Sequence, residues 1–352
     1  MKLKFRNLLF VFLLVSPLFS LMVGLCVGTY RIPPSLVVKM LGTAVCGRLL
    51  QVVHWATLGK VSIDLNTGYP YVPRVILFDI RLPRVLLAMA VGSALSVSGA
   101  VLQAIFRNPL VNSYILGISS GAAFGAALAI GLSLSLGVTP LAFIFALIAV
   151  LLTVSLARIG GRVTPITLVL AGIIVNAFFS ALTSLMQFLM NKEQLASIVY
   201  WLMGSFANTD WKAVEVALPV VLVGCAAVYA MRWQLNVLSF GEEAKLVGIE
   251  SEKLKTAFIV IVSMITAVSV AFCGVIGWVG LMVPHLVRMA FGPDHRTLIP
   301  LTITVGASFL VLADTLARSV TTCEIPIGII TTLLGVPFFA YLLRKTGGGW
   351  GA

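Results

Sequence analysis

The chain has 352 residues, 60% of them hydrophobic and only 10% charged, with a mean hydropathy of +1.08. A soluble domain carries roughly 25% charged residues, so this composition excludes an ordinary soluble enzyme. The net charge of +12 reads as basic residues flanking apolar spans and holding their topology, not as a nucleic-acid footprint.

Met1-Lys-Leu-Lys-Phe-Arg6 precedes an apolar run that ends at Val27. That run is longer than a secretory h-region and lacks a small-x-small cleavage site, so it reads as a retained first span, 8–27. An outer segment, 28–80, follows, with Pro33, Pro34, His54, Asp64 and a Tyr69-Pro-Tyr-Val-Pro73 turn. It has room for a short helix at 36–50 lying on the membrane. Spans are expected at 82–104, 114–134, 140–157 and 165–190, with tight turns at Arg107-Asn-Pro-Leu110 and at 158–164. An amphipathic stretch, 191–210, leads to a span at 212–231. The polar segment 232–255 separates it from a span at 256–273, and the last three spans are expected at 281–291, 298–313 and 325–343.

Runs of about 20 apolar residues are long enough to cross a hydrocarbon core of about 30 Å. The fold class is therefore all-α: a polytopic membrane protein of about ten transmembrane helices per subunit. A single transmembrane domain covers 1–352, with 28–80 as its outer loop and 232–255 on the cytoplasmic side. Basic residues favour cytoplasmic N- and C-termini, because the outer ones concentrate in the one long outer loop, which weighs less. Cys26, Cys46, Cys225, Cys273 and Cys323 are scattered and form no metal-binding spacing, so they read as apolar thiols.

Gly92, Ser96 and Ala100 form a small-xxx-small face on one span, and Gly121, Gly125 and Ala129 form another. Such faces let helices approach closely in lipid. The run Phe272–Arg288 is apolar yet broken by Gly274, Gly277, Gly280 and Pro284. Free backbone groups are tolerated at membrane depth only where protein or a water-filled cavity satisfies them. A packed bend inside the bundle is expected there, with His285 structural.

No GxxxxGK[ST] phosphate loop, HExxH, GxSxG or carboxylate pair is present. An ion-coupled carrier needs ionisable residues within its spans. Glu215 and Asp314 are the only acids near one, and Asp314 sits one turn before Arg318, as a local ion pair would. Three other features are compatible with partners. Gly241, Glu242, Glu243, Ala244 and Leu246 read as a short acidic-apolar helix over 241–247, stopped by Gly248, on the cytoplasmic side, suited to a partner's groove or to resting on lipid. Asn176, Ser180, Ser184 and Gln187 fall at i, i+4, i+8 and i+11 with Thr183 beside them, one helical face that either lines a pathway or bonds to other helices. Arg81, Arg84 and Arg318 lie at outer span ends, as docking groups for an acidic partner or as snorkelling anchors.

Together, Arg81-Leu-Pro-Arg84, Val91-Gly92, Ser98-Gly99, Gln103, Asn108-Pro-Leu110 and Leu116-Gly-Ile-Ser-Ser-Gly-Ala122 resemble the permease subunits of bacterial ABC importers for iron-siderophores, haem and vitamin B12. So do Gly274–Arg288, Asp294-His-Arg296, Ala313-Asp-Thr-Leu-Ala-Arg318 and Glu324-Ile-Pro-Ile-Gly328. The resemblance runs from Arg81 to Lys345. It implies a homodimer with the pathway along its axis, two separate ATP-binding subunits inside, and a periplasmic or extracellular substrate-binding protein outside. Cofactors are then none on this chain, with ATP and Mg on the ATPase partner. The location implied is a bacterial or archaeal cytoplasmic membrane, with lipid and no nucleic acid as further surroundings. The resemblance assigns Arg81, Arg84 and Arg318 to binding-protein docking and Gly241–Gly248 to ATPase coupling. It assigns the Asn176–Gln187 face to the pathway, and Asn108, Leu110, Pro165 and Ile166 to an inner gate.

Two features depart from the family pattern. Val111-Asn-Ser113 replaces an acidic residue and a proline after Asn-Pro-Leu, and the first outer loop is longer than usual. The expected function is ATP-driven import of a metal chelate, an iron-siderophore first, then haem or cobalamin. The alternative is an ion-coupled secondary carrier without an ATPase partner.

Overall fold

The structure, a computed structural model, describes residues 2–56, 69–159, 162–239, 251–321 and 323–346. In chain order the helices are α1 (Lys2–Cys26), α2 (Pro34–Ala56), α3 (Tyr71–Val75), α4 (Leu82–Phe106), α5 (Ile118–Gly131), α6 (Val138–Ala157) and α7 (Pro165–Leu189). They continue with α8 (Lys192–Leu202), α9 (Trp211–Ala230), α10 (Arg232–Ser239), α11 (Ser251–Cys273), α12 (Val279–Phe291), α13 (His295–Ala317) and α14 (Ile327–Thr346). A π-turn, Ile76–Arg81, joins α3 to α4, and a 3-10 turn, Ser113–Leu116, precedes α5. One antiparallel ladder of two-residue strands, β1 (Arg158–Ile159) and β2 (Arg162–Val163), closes the α6–α7 turn.

Among the described residues, eight helices are long and apolar enough to cross a membrane, and the segments expected as the third and eighth spans are shorter. At 1.5 Å per residue, the 14 residues of α5 and 13 of α12 each reach only about 20 Å. α5 follows the 3-10 turn Ser113–Leu116, and α12 follows the non-helical bend Gly274–Trp278. The outer region also differs from expectation. Pro34–Ala56 is one 23-residue helix, and the helix leading into α4 starts at Tyr71, so only 57–70 separates them, of which 57–68 lies outside the described residues.

The hub of the bundle is α4. In its continuous helix, Tyr71–Phe106, 89% of the most apolar window is buried, against 22% for α1 and 28% for α14. Its small residues explain why. A Cβ on Gly92 would overlap the carbonyl of Gly306 on α13, and one on Gly99 would overlap that of Gly280 on α12. Polar links add specificity where burial from water supplies little drive. The Ser93 hydroxyl donates to Ile303 O at 3.0 Å, and Thr266 Oγ1 on α11 meets Ser98 Oγ at 2.9 Å. The second small face behaves likewise, with Gly121 and Gly125 set against the Phe145 and Leu141 carbonyls of α6.

The glycine-rich bend is packed inside protein. Gly274 adopts φ +71° and Trp278 φ +70°. Ser205 N–H donates to Cys273 O at 2.8 Å, the Tyr114 hydroxyl donates to Ile276 O, and Gly274 N–H returns to Val270 O at 2.8 Å. Ile327 and Gly328 N–H groups close the junction on Gly204 O and Met203 O at 3.0 and 3.1 Å. The ends of α8, α11 and the start of α14 thus meet at one backbone-bonded knot. The Trp278 ring lies 5.9 Å from that of Phe339 and covers Gly335, whose missing Cβ leaves it room.

Candidate functional site

Arg81 closes the π-turn and Arg84 follows three residues later, so both project from one side of the helix. Arg318 caps the C-terminus of α13. The three guanidiniums form one cluster, and it is buried: relative exposure is 4%, 6% and 6% for Arg81, Arg84 and Arg318. For Arg81 and Arg318 the cause of this burial is the end of α1. A helix leaves its last carbonyls without intrahelical donors and carries partial negative charge there. Arg81 Nη1 donates to Leu25 O at 2.7 Å and Cys26 O at 3.3 Å, and its Nη2 to Tyr30 O. Arg318 Nη2 donates to Gly24 O. Gly28 lies across both groups: a Cβ there would come within 2.5 Å of Arg81 Nη2 and 2.9 Å of Arg318 Nη1.

Arg84 has a different environment. Its Nε and Nη2 bind Asp314 at 3.0 and 2.9 Å, and its Nη1 binds both oxygens of Glu324 at 2.9 and 2.8 Å. Asp314, 1% exposed, also lies 3.5 Å from Arg318 Nε. The local Asp314–Arg318 pair expected from spacing exists, but the closer partner of Asp314 is Arg84, 230 residues away in sequence. The Glu324 side chain is 41% exposed, so Glu324 is the member of the cluster that reaches the surface.

The polar face of α7 is divided. Ser180 and Ser184 are exposed, and Asn176 and Gln187 are half-buried. Asn176 accepts from Ser120 Oγ at 2.8 Å and donates to Tyr114 O at 3.1 Å. Thr183 is buried and bonds back to Phe179 O at 2.8 Å. Beside this stripe runs an exposed apolar face that includes Ile166, Leu170, Ile174, Phe178 and Phe188. Thr164 and Thr167 form a capping box that starts α7 at Pro165.

At the opposite end from the arginines, Arg107 takes φ +50°, and Asn108 Oδ1 accepts from Leu110 N–H at 2.9 Å, fixing the turn after α4. Asn108, Leu110 and Ile166 are exposed and Pro165 is half-buried. Gly241, Glu242, Glu243, Ala244, Leu246 and Gly248 lie outside the described residues. The flanks of that segment are anchored. Asn236 on α10 donates to Asp294 Oδ1 at 2.7 Å and accepts from His295 N–H at 2.9 Å. Glu252 on α11 accepts from Val163 N–H at 3.3 Å. Asp294 caps α13 through Arg296 N–H at 2.9 Å. That bond, then the one from Asn236, holds the Asp294 carboxyl below the ordinary carboxylate range.

Glu324, Gly28, Asn236 and Asp294 carry structure that sequence reasoning did not assign. Glu324 and Asp294 appear in the sequence only as members of recognisable motifs. Gly28 and Asn236 give no local signal, because their partners are distant in the chain.

This bundle of apolar helices around a glycine-rich hub has the architecture of a membrane transport subunit. The FecCD transport family matches residues 13–345, and the chain belongs to that family. It is 46% identical over 286 residues to the cobalamin import system permease protein BtuC of Halobacterium salinarum, covering 80% of this chain and 77% of that one. It is 39% identical to the molybdate import system permease protein MolB of Haemophilus influenzae, covering 83% and 86% of the two chains. A solved structure of a metal-chelate-type ABC transporter in an inward-facing conformation superposes with a TM-score of 0.81 at 36% identity, covering 96% of this chain and 99% of that one.

Proposed function

We propose that this chain is the membrane subunit of a binding-protein-dependent importer that moves a metal chelate inward and is driven by ATP hydrolysis on a separate subunit. The observation that carries this reading is the family match across nearly the whole chain. The 46%-identical relative is named for cobalamin import, which supports cobalamin as a substrate beside an iron-siderophore or haem. Two copies would pair with the exposed face of α7 toward a shared pathway, so that Ser180 and Ser184 meet the moving substrate while Asn176 and Thr183 hold the helix to its neighbours. The turns at Asn108–Leu110 and Pro165–Ile166 would narrow the inner mouth. The Gly241–Gly248 segment would receive the push of two ATP-binding subunits, and ATP and Mg would be bound there rather than here. An extracytoplasmic binding protein would dock at the arginine end, and both termini would lie in the cytoplasm, beneath a bacterial or archaeal cytoplasmic membrane.

Reconstitution in proteoliposomes tests this reading. Uptake of cyanocobalamin or a ferric hydroxamate is expected only with the ATPase, ATP and the binding protein all present. Flux driven by an ion gradient alone would replace it with the secondary-carrier reading.

A further inference from the structure

Arg84 is held by two carboxylates of unlike character. Asp314 is buried and takes Nε and Nη2, while Glu324 takes both contacts of Nη1 from a side chain that is 41% exposed. Arg81 directs Nη1 and Nη2, and Arg318 its Nη2, at the carbonyls of Gly24, Leu25, Cys26 and Tyr30, beneath Gly28. The contact of Arg84 Nη1 with the half-exposed Glu324 is therefore where an outside carboxylate can reach a guanidinium of the cluster by exchange. Among the described residues the cluster also sets three guanidiniums against two carboxylates, so the site attracts a further anion. Glu324 stands on the short link between α13 and α14, two residues before Pro326. It can therefore leave Arg84 without breaking a helix, and the adjoining Ile327 and Gly328 N–H bonds lead into the central knot.

We propose that Glu324 is a displaceable stand-in carboxylate, holding the outward fork of Arg84 until an acidic side chain of the docked binding protein takes that fork over. This rests on the reading that a binding protein docks at this end. It gives Arg84 a distinct part within docking by the three arginines and adds Glu324 as the residue that sets its strength. A bidentate guanidinium–carboxylate contact is directional, so the incoming acid competes for the same donors rather than adding to them. Charges at the rim of an interface act mainly on the association rate and its salt dependence.

The affinity of the importer's own binding protein for the full permease in nanodiscs decides the matter. Glu324→Gln keeps the shape of the side chain and removes the competing charge. It should tighten docking roughly fivefold, the upper end for one partly exposed ion pair, with the gain in the association rate and fading at high salt. Glu324→Lys should tighten docking further at low salt. If both variants dock as the wild type does, or more weakly, the exchange is wrong while docking at this end stands. If the wild-type permease captures no binding protein at all, the docking reading fails and the exchange with it.

Discussion

A buried arginine is costly unless every charge and donor near it is matched. In Arg81, Arg84 and Arg318 most of the matching is done by the open end of α1 and by two carboxylates, and Arg318 Nε has Asp314 only at 3.5 Å. Replacing Arg84 by Ala strands Asp314, with only Arg318 at 3.5 Å beside it. The expected loss is about 3 kcal/mol, read as a lower midpoint of thermal unfolding in detergent. Removing both charges with Arg84→Met and Asp314→Leu should recover most of it, and a double variant no better than the single would show that the pair is not the cause. Gly28→Ala should also destabilise, by roughly 1–3 kcal/mol, because the guanidiniums its Cβ meets are tied to α1 and have little room to move. A basic residue near a span end points either outward or inward, and the sequence around Arg81 is the same in both cases. What turns it inward is a set of carbonyls more than 50 residues earlier.

Among the elements, the glycines of α4 and the caps of the outer helices make contrasting tests. Gly99→Ala drives a Cβ into backbone on α12, which cannot yield as a flexible side chain can, and the folded yield after solubilisation should collapse. Gly42→Ala on α2 meets nothing within 4 Å and should raise the unfolding midpoint, since Ala is favoured over Gly in a helix by about 1 kcal/mol. A fall instead would mean that α2 has a neighbour in the assembled importer. Asp294→Ala removes the N-cap of α13 and the clamp on α10, costing about 1 kcal/mol. The Asp294 carboxyl is held below its ordinary value, so its contribution is complete above the unfolded carboxylate range and is lost as pH falls through the depressed value. The difference in unfolding midpoint between wild type and Asp294→Ala should therefore shrink on acidification. The small-residue faces were legible because close approach in lipid demands them. The shortness of α5 and α12 was not, because apolar residues continue into the bend and the 3-10 turn.

For the whole molecule, the exposed side of α7 separates a water-lined pathway from a lipid-facing wall. With Cys46 and Cys323, both exposed, replaced by Ser, a Ser184→Cys permease should react with a membrane-impermeant thiol reagent, and added substrate should slow the reaction. An unreactive cysteine would assign this face to lipid or to a dry dimer contact. Glu242→Gln with Glu243→Gln should leave the ATPase turning over while substrate uptake falls, a split measured in the same proteoliposomes. Tight coupling in that variant would remove the segment from the drive.

The sequence by itself determined that this is a membrane-spanning all-α chain, the family it joins, and which glycines let helices touch. Those properties follow from composition, period and short motifs, all local in the chain. Only the tertiary structure decided that α4 is the hub and that Arg81 and Arg318 cap α1. It also decided that Arg84 shares itself between a buried Asp314 and an exposed Glu324. Those are pairings across tens to hundreds of residues, set by which buried donor finds which free acceptor once the helices have packed.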